Sequence, residues 1–255
     1  MPEGDTIWRA AAALSAALQG KRVVAARPEG LKRLAGSTVT SVDPVGKHLV
    51  IRFDSGWALH SHMRMRGTWQ VYRPGERWRR PEWQLKAMLE TADAVAVCFA
   101  APVMELVRDA RAIVRHLGPD ILADDWQASE VVRRARLLPA STAAGDVLLD
   151  QRVTAGIGNV YRCEALWHRK VNPWTGTGGL SDEELAALFE TARQAMRGNL
   201  KTWDRRFPGY GKGAVHGRGG RPCPRCGTPI KVRAMGEHAR LVYWCPTCQP
   251  AMTGP

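Results

Sequence analysis

The stretch LLDQRVTAGIGNVYRCE, residues 148–164, decides the fold of the second half of this 255-residue chain. Apolar residues at helical spacing occupy 143–150 and 159–168, which predicts a helix on each side of the segment QRVTAGIG. Gly156 and Gly158 within that segment permit the sharp backbone reversals that two tight turns require. The stretch therefore predicts a helix, two turns and a second helix.

The helical pattern continues on both sides of this stretch. Residues 129–138, SEVVRRARLL, have a helical period, and Ser181 with Glu184 forms a capping box for a long helix that runs to about Leu200. Toward the N-terminus, the hydrophobic period changes from 3.6 to 2 across residues 116–126. This change predicts a domain boundary there.

The N-terminal part of the sequence is typical of a β-sandwich with one helix. Residues 5–19 carry one apolar helical stripe, with Asp5 as the expected cap and Gly20 as the expected stop. Short β-like runs then follow at spacings punctuated by turn residues. They cover 39–42, 48–53, 57–63, 67–72, 85–91 and 94–100.

Four of the six cysteines form two C-x-x-C pairs near the C-terminus. The spacing predicts one tetrahedral zinc ion bound by four thiolates, which leaves no open position for water and therefore makes the zinc structural. Two disulfides or four reduced thiols without metal are the alternatives; the spacing disfavours both, and disulfides are in addition rare in a cytoplasmic chain. His238 is interpreted as a solvated residue of the intervening hairpin. The predicted ligands are Cys223, Cys226, Cys245 and Cys248.

The chain is strongly basic, with 37 Lys and Arg against 24 Asp and Glu and a formal net charge of +13. Such a charge favours a polyanionic partner, either nucleic acid or an acidic membrane. No apolar run approaches the roughly 20 residues of a membrane span, and the start MPEGDTIWRA lacks the features of a signal peptide. We therefore expect a soluble, cytoplasmic protein that binds nucleic acid and not membrane.

Arg64, Met65 and Arg66 precede Gly67 in a predicted loop between two strands. A loop tip with basic and flexible apolar side chains suits a wedge that fills the gap left by an extruded base. An ordinary basic hairpin explains these residues equally well from sequence alone. The ten tryptophans, including Trp8, are interpreted mainly as packing residues.

Together these features resemble the formamidopyrimidine-DNA glycosylase and endonuclease VIII family, particularly its endonuclease VIII-like branch. The resemblance spans nearly the whole chain. It implies an α+β fold with an N-terminal β-sandwich catalytic domain (1–118), a helix-two-turn-helix DNA-binding domain (119–212) and a four-Cys zinc-finger β-hairpin (213–255). The motifs that carry it are PEG (2–4), GKHL (46–49), SHMRMRG (61–67), the stretch 148–164 and VHGRGGRPC (215–223).

The resemblance implies a catalytic set at the N-terminus. Pro2 is the nucleophile once Met1 is removed, Glu3 is the acid/base, and Lys47 is a second essential group near the sugar and phosphate. The chemistry is also reasonable in itself, because an N-terminal amine has a reference pKa near 8 and Lys one near 10.4. At neutral pH more of the terminal amine is therefore unprotonated and nucleophilic.

The resemblance also implies DNA-binding residues. Asn159 and Arg240 match residues that grip the phosphates around a lesion, and Glu164 matches a carboxylate in the helix after the two turns. Arg64, Met65 and Arg66 align with a void-filling loop, which favours the wedge over the ordinary hairpin. At Asp5-Thr6 the chain departs from the family, which commonly has Pro-Glu there.

The function that follows is a bifunctional DNA glycosylase and AP lyase of base excision repair. It is expected to act on damaged DNA, preferentially at oxidised pyrimidines, as a monomer with one zinc ion and no organic cofactor. A catalytically silent lesion-recognising protein of the same fold is the alternative. A zinc-ribbon module unrelated to repair is disfavoured by the match at residues 148–164. The preferred lesion and opposite base are left open by the sequence.

Overall fold

The computed structural model of the protein describes residues 2–251. The chain forms two compact units, with the division between His116 and Leu117. Residues 213–251, expected to form part of a separate finger domain, belong to the second compact unit. The division into three domains stays a prediction.

The first unit begins with helix α1, Gly4–Leu18. Glu3 is its N-cap, and its carbonyl oxygen accepts hydrogen bonds from the amides of Thr6 and Ile7. The expectation that Asp5 caps this helix is therefore wrong. Asp5 lies within the first turn, where its buried carboxylate forms an ion pair with Arg9 at 3.1 Å.

Two four-stranded antiparallel sheets make up the sandwich, in the orders β1-β6-β7-β5 and β2-β3-β4-β8. Apolar residues of α1 and of the inner sheet faces form one buried core. The sequence did not predict β1, which has only three residues, or β8, in which Glu105 is exposed and the other residues are half-buried. The strands are β1 Ala25–Arg27, β2 Val39–Val45, β3 His48–Phe53, β4 Ala58–His62, β5 Thr68–Tyr72, β6 Leu85–Glu90, β7 Val95–Phe99 and β8 Val103–Val107.

A second helix, the five-residue α2 (Ala110–Val114), follows the sandwich. The expectation of a single helix in this unit is therefore wrong. The Asp109 side chain caps it by accepting hydrogen bonds from the backbone amides of Arg111 and Ala112. Five residues are too few for an amphipathic period to be recognised in the sequence.

The second unit is helical and ends in a hairpin. The predicted capping box is present, because the Ser181 hydroxyl accepts from the Glu184 amide and the Glu184 carboxylate accepts from the Ser181 amide. Of the two turn glycines only Gly156 has a positive φ, of 113°, whereas Gly158 is an extended N-cap. The elements are α3 Ala128–Arg136, α4 Ala144–Val147, α5 Asn159–His168, α6 Asp182–Gly198, β9 Lys231–Met235 and β10 Arg240–Trp244.

The hairpin of β9 and β10 packs against α5 through a buried cluster that contains Trp167, Met235 and Val242. The same cluster includes Cys223 and Cys245, so two of the predicted metal ligands lie at the base of the hairpin. Within residues 2–251, no helix is long and apolar enough to cross a membrane.

Candidate functional site

Residues 2–4 place the proposed acid/base at the start of α1. Glu3 is 1% exposed and is the residue from which the helix begins. The unpaired amides of a helix N-terminus carry partial positive charge, which favours a carboxylate at this position. Pro2 is half-buried beside it, and Met1, whose removal the proposed chemistry requires, lies outside the described residues.

Lys47 lies on the tight turn between β2 and β3, where Val45 pairs with His48. Gly46 has a φ of 57°, which a residue with a Cβ rarely adopts, so the turn favours glycine immediately before the lysine. Lys47 itself is half-buried. The turn therefore fixes the backbone of Lys47 at one end of the sheet.

Three histidines cluster on the outer face of this sheet because of strand register. His48 pairs with His62 across β3 and β4, and His60 pairs with Glu105 across β4 and β8. The His60 Nδ1–H donates to the Glu105 carboxylate at 3.1 Å, and His60 Nε2 lies 2.9 Å from His48 Nδ1, within hydrogen-bond distance. These contacts orient the rings of His48 and His60, and His48 directly follows Lys47 in the chain.

Two of these histidines bind protons weakly. Burial lowers the pKa of His48 to about 3, with further contributions from His62, His60, His116 and Arg64. Burial, together with the positive charges of Arg64 and Lys47, lowers the pKa of His62 to about 4. Both rings are therefore neutral at physiological pH.

The predicted loop tip is present and exposed. Gly67 donates its amide to the Met63 carbonyl at 2.8 Å, and a Cβ at Gly67 would approach the Met63 backbone to 2.7 Å, so a glycine is required there. Arg64 has a φ of 47° and donates its amide to His62 Nδ1 at 3.1 Å. The turn leaves Arg64, Met65 and Arg66 exposed to solvent.

Asn159 opens α5 and contacts the hairpin directly. Its Nδ2 donates to the Leu241 carbonyl at 2.8 Å, next to Arg240, whose side chain is exposed. Asn159 is 7% exposed. The structure thus brings these two predicted phosphate-binding residues together, and phosphate contact by either stays a prediction.

Arg162, one turn along α5, was not identified from the sequence. It is fully buried, and its Nη2 donates to Asn159 Oδ1 (2.5 Å) and to the carbonyls of Leu241 (3.3 Å) and Arg240 (3.5 Å). Among the described residues its Nε and Nη1 have no hydrogen-bond partner. The available signal was a cation three residues after Asn159 within an otherwise largely apolar helix.

Glu164 is 1% exposed, which bears on its predicted role in DNA binding. Its carboxylate accepts hydrogen bonds from the backbone amides of Ala214 (2.8 Å), Val215 (3.0 Å) and His216 (2.8 Å). These hydrogen bonds fix residues 214–216 to α5, and DNA binding by Glu164 stays a prediction.

Two groups of arginines close together in sequence lie outside the predicted site residues, one on α3 and one in the segment before β6. Arg133 and Arg134 both pair with Glu130, and Arg136 pairs with Asp182, so the cluster on α3 is largely neutralised. Arg79 and Arg80, by contrast, line a surface cleft of the first unit.

The four cysteines of the predicted zinc site come together. Cys226 Sγ lies 3.4 Å from Cys245 Sγ and from Cys248 Sγ, Cys223 Sγ lies 3.9 Å from Cys248 Sγ, and all four atoms are within 4.8 Å of one another. Tetrahedral coordination with Zn–S bonds near 2.3 Å separates the sulfurs by about 3.8 Å. The cluster therefore fits a zinc ion.

Three family descriptions match consecutive parts of the chain. Residues 1–114 match the formamidopyrimidine-DNA glycosylase N-terminal domain, and residues 117–205 match the H2TH domain of the same glycosylase. Residues 220–251 match the zinc finger found in FPG and IleRS. The first match lies within the first compact unit, and the other two lie within the second.

Relatives match along almost the full chain. A "Probable endonuclease 8 2" of Streptomyces coelicolor is 42% identical and a "DNA-(apurinic or apyrimidinic site) lyase Nei2" of Mycolicibacterium smegmatis is 37% identical. Each alignment covers 98% of this chain, and 94% and 100% of the respective relatives. The chain belongs to the formamidopyrimidine-DNA glycosylase and endonuclease VIII family.

Solved structures agree on the fold. The Lactococcus lactis formamidopyrimidine-DNA glycosylase bound to DNA with an AP site superimposes with a TM-score of 0.81 at 21% identity. The match covers 98% of this chain and all of that one. The expected fold of sandwich, H2TH domain and four-Cys finger is thereby confirmed.

Proposed function

We propose that this protein is a bifunctional DNA glycosylase and AP lyase of base excision repair, acting through the secondary amine of Pro2. Family membership supports the glycosylase and lyase class. The observation that carries the proposal is the start of α1, where Pro2 directly precedes the buried carboxylate of Glu3.

The Pro2 nitrogen forms a bond to C1′ of the deoxyribose, and the C1′–base bond breaks with its electron pair leaving on the base. Glu3 transfers a proton to the sugar ring oxygen and accepts one from the amine. Opening of the ring gives an iminium that is cationic without protonation. This electron sink acidifies the neighbouring C–H bonds. Transfer of a C2′ proton to water breaks the C3′–O bond and releases the 3′ phosphate, and transfer of the C4′ proton then breaks the C5′–O bond and releases the 5′ phosphate, in successive β and δ eliminations.

Lys47 is proposed to stabilise the phosphate or the developing oxyanion beside the sugar. The β2–β3 turn fixes the backbone of Lys47, and the neighbouring histidines are neutral. Lys47 and Arg64 are therefore the cations that this end of the sheet presents to a phosphate.

DNA binding is assigned to both compact units. Arg64, Met65 and Arg66 fill the space left by the extruded base, while Asn159 and Arg240 grip phosphates. The resemblance to the endonuclease VIII-like branch favours oxidised pyrimidines as substrates. We propose that the protein acts as a monomer on chromosomal DNA in the cytoplasm.

We also propose that a single zinc ion binds the four cysteines and has a structural role. Four thiolates complete a tetrahedral shell, so the metal supplies folding free energy and no open coordination site. Trp167 Nε1 donates to Cys223 Sγ at 3.4 Å, which connects the proposed metal site to α5 and to the hairpin that carries Arg240.

Borohydride trapping on abasic DNA tests this function. Borohydride reduces the iminium, so an amine-dependent lyase leaves a covalent protein–DNA adduct, whereas a silent DNA-binding protein leaves none. Excision should be measured in parallel on duplexes that contain oxidised pyrimidines. Binding to such duplexes without excision or trapping would contradict the proposal.

A further inference from the structure

A cleft beside the exposed loop of residues 64–66 is not used by the chemistry above. It has a volume of about 630 Å³ and is lined by Met65, Arg66, Arg80, Trp83, Gln84 and Lys86. We propose that this cleft binds the DNA base left without a partner when the damaged base is extruded, and that this base stacks on Trp83. The inference rests on the proposed function.

Trp83 is the most exposed of the described tryptophans, followed by Trp203 at 77%. It is 81% exposed, and within the part of the chain that the structure describes its ring has neither a ring contact nor a hydrogen bond. Trp69, Trp126 and Trp167 each donate the indole N–H to a side chain. An indole exposed to this extent has an open face for a ligand.

The backbone around Trp83 is held in place. Trp83 is the middle residue of the short 3₁₀ helix Glu82–Gln84. The Gln84 amide donates to the Pro81 carbonyl at 3.1 Å, and the Gln84 carbonyl accepts from the Ala100 amide at 2.8 Å. The indole is thus presented from a segment whose backbone is fixed next to the end of β7. Little backbone entropy is therefore lost when a base stacks on the indole.

The charges around the cleft favour a nucleic-acid ligand. Arg66, Arg80 and Lys86 supply three cations, and none of the lining residues is acidic. Glu82 lies next to Trp83 in sequence, but its carboxylate forms an ion pair with Arg27. An aromatic face with cations around it suits a base that stacks on the ring while its phosphates lie on the basic side chains.

The position of Met65 indicates which DNA base binds in the cleft. Met65 lines the cleft and is also one of the residues proposed to enter the DNA stack at the lesion. Extrusion of the damaged base leaves its opposing base unpaired at the same position. Met65, proposed to separate the damaged base from its opposing base, therefore borders the cleft. The cleft is thus next to the position of the unpaired opposing base.

A fluorescent base tests the proposal. A duplex carries a tetrahydrofuran abasic site, which has no base and resists the lyase, opposite 2-aminopurine, which stacked indoles quench. At saturation, as judged by anisotropy of a distant label, the probe should be quenched more strongly in the wild-type complex than in the complex of Trp83→Ala. Trp83→Ala should lose most of the quenching and bind about tenfold more weakly, within the range for one base–aromatic stack.

Two further variants sharpen the result. Trp83→Phe keeps an aromatic face and should retain most of the affinity, whereas Val24→Ala removes an exposed apolar side chain outside the cleft and should match wild type. Equal quenching by Trp83→Ala and wild type would overturn the proposal. Trapping of the wild-type protein on natural abasic DNA reports the proposed chemistry separately, because the tetrahydrofuran duplex requires none.

Discussion

Arg162 Nη2 lies 2.5 Å from Asn159 Oδ1, one helical turn away, and the same nitrogen reaches the carbonyl of Arg240 at 3.5 Å. One buried guanidinium therefore contacts the side chain of one proposed phosphate-binding residue and the backbone of the other. We infer that Arg162 positions these two residues without contacting DNA itself, because it is fully buried.

Arg162→Met should lower the affinity for DNA without lowering the melting temperature. Burial lowers the pKa of the Arg162 guanidinium, and two of its nitrogens have no hydrogen-bond partner among the described residues. An apolar side chain of similar length should therefore leave the melting temperature nearly unchanged. Asn159 and the hairpin lose their common donor, so affinity for damaged DNA should fall about tenfold, the effect of roughly 1.4 kcal/mol.

Salt titrations distinguish this role from a direct contact. Arg240→Ala should reduce the slope of log K against log salt by about 0.9, the value for one phosphate contact on duplex DNA. If Arg162 acts only by orienting Asn159 and the hairpin, Arg162→Met should lower the affinity for DNA with a smaller change in the slope of log K against log salt. Unchanged affinity in Arg162→Met would refute the positioning role.

Replacing Arg64, Met65 and Arg66 together by Ala should slow base excision more than strand cleavage at a preformed abasic site. Extrusion of the damaged base is required only for excision, and these exposed side chains are proposed to assist it. Single-turnover rates on matched duplexes measure both steps. Equal slowing of the two would indicate a general loss of binding instead.

Removal of zinc should loosen the hairpin. Cys245→Ser, or chelation of wild-type protein, should abolish the copurifying equivalent of zinc and reduce DNA affinity, because Cys245 belongs to the cluster that packs the hairpin against α5. Metal content by atomic absorption and binding by anisotropy are the measurements. Cys98→Ser is the matched control, since Cys98 is buried in the sandwich core. A metal-free protein with full DNA affinity would contradict the structural role.

Stability should decline as the pH falls below about 6.5. Burial and neighbouring cations lower the folded-state pKa of His48 to about 3 and of His62 to about 4, against about 6.5 in the unfolded chain. Between about pH 4 and 6.5 the unfolded chain binds more protons, so the contribution of these neutral rings is complete above 6.5 and is lost on acidification.

His62→Asn tests this pH dependence. Asn supplies an acceptor in place of Nδ1, which binds the Arg64 amide, but does not titrate. Melting temperatures measured from pH 7.5 to 5 should fall less steeply for this variant than for wild type. Parallel curves for the two proteins would exclude His62 as a contributor.

Sequence patterns predicted the parts of this protein that rest on local signals. Alternating apolar residues indicated most of the sandwich strands, and the Ser181–Glu184 capping box marked the start of α6 correctly. Cysteine spacing indicated a cluster that the fold assembles. Each of these signals lies within a few residues or in one repeated spacing, which explains why it can be recognised in the sequence.

Features set by tertiary contacts were not predictable in this way. The role of Arg162 depends on carbonyls nearly 80 residues away, and the exposure of Trp83 depends on how residues 82–84 are fixed beside β7. The cap of α1 was assigned to Asp5 because its residue type favours caps, whereas Asp5 instead pairs with Arg9 inside the helix. Residue propensities predicted the helix, but not that Asp5 pairs with Arg9.

The identity of the nucleophile is tested most directly by mass spectrometry of the borohydride-trapped adduct after digestion of protein and DNA. The protein must have Met1 removed, because an amide nitrogen at Pro2 cannot attack C1′. We predict a reduced sugar remnant on the peptide that begins with Pro2, and no adduct from protein that retains Met1. A remnant on Lys47, or full excision by protein shown to retain Met1, would contradict the Pro2 mechanism.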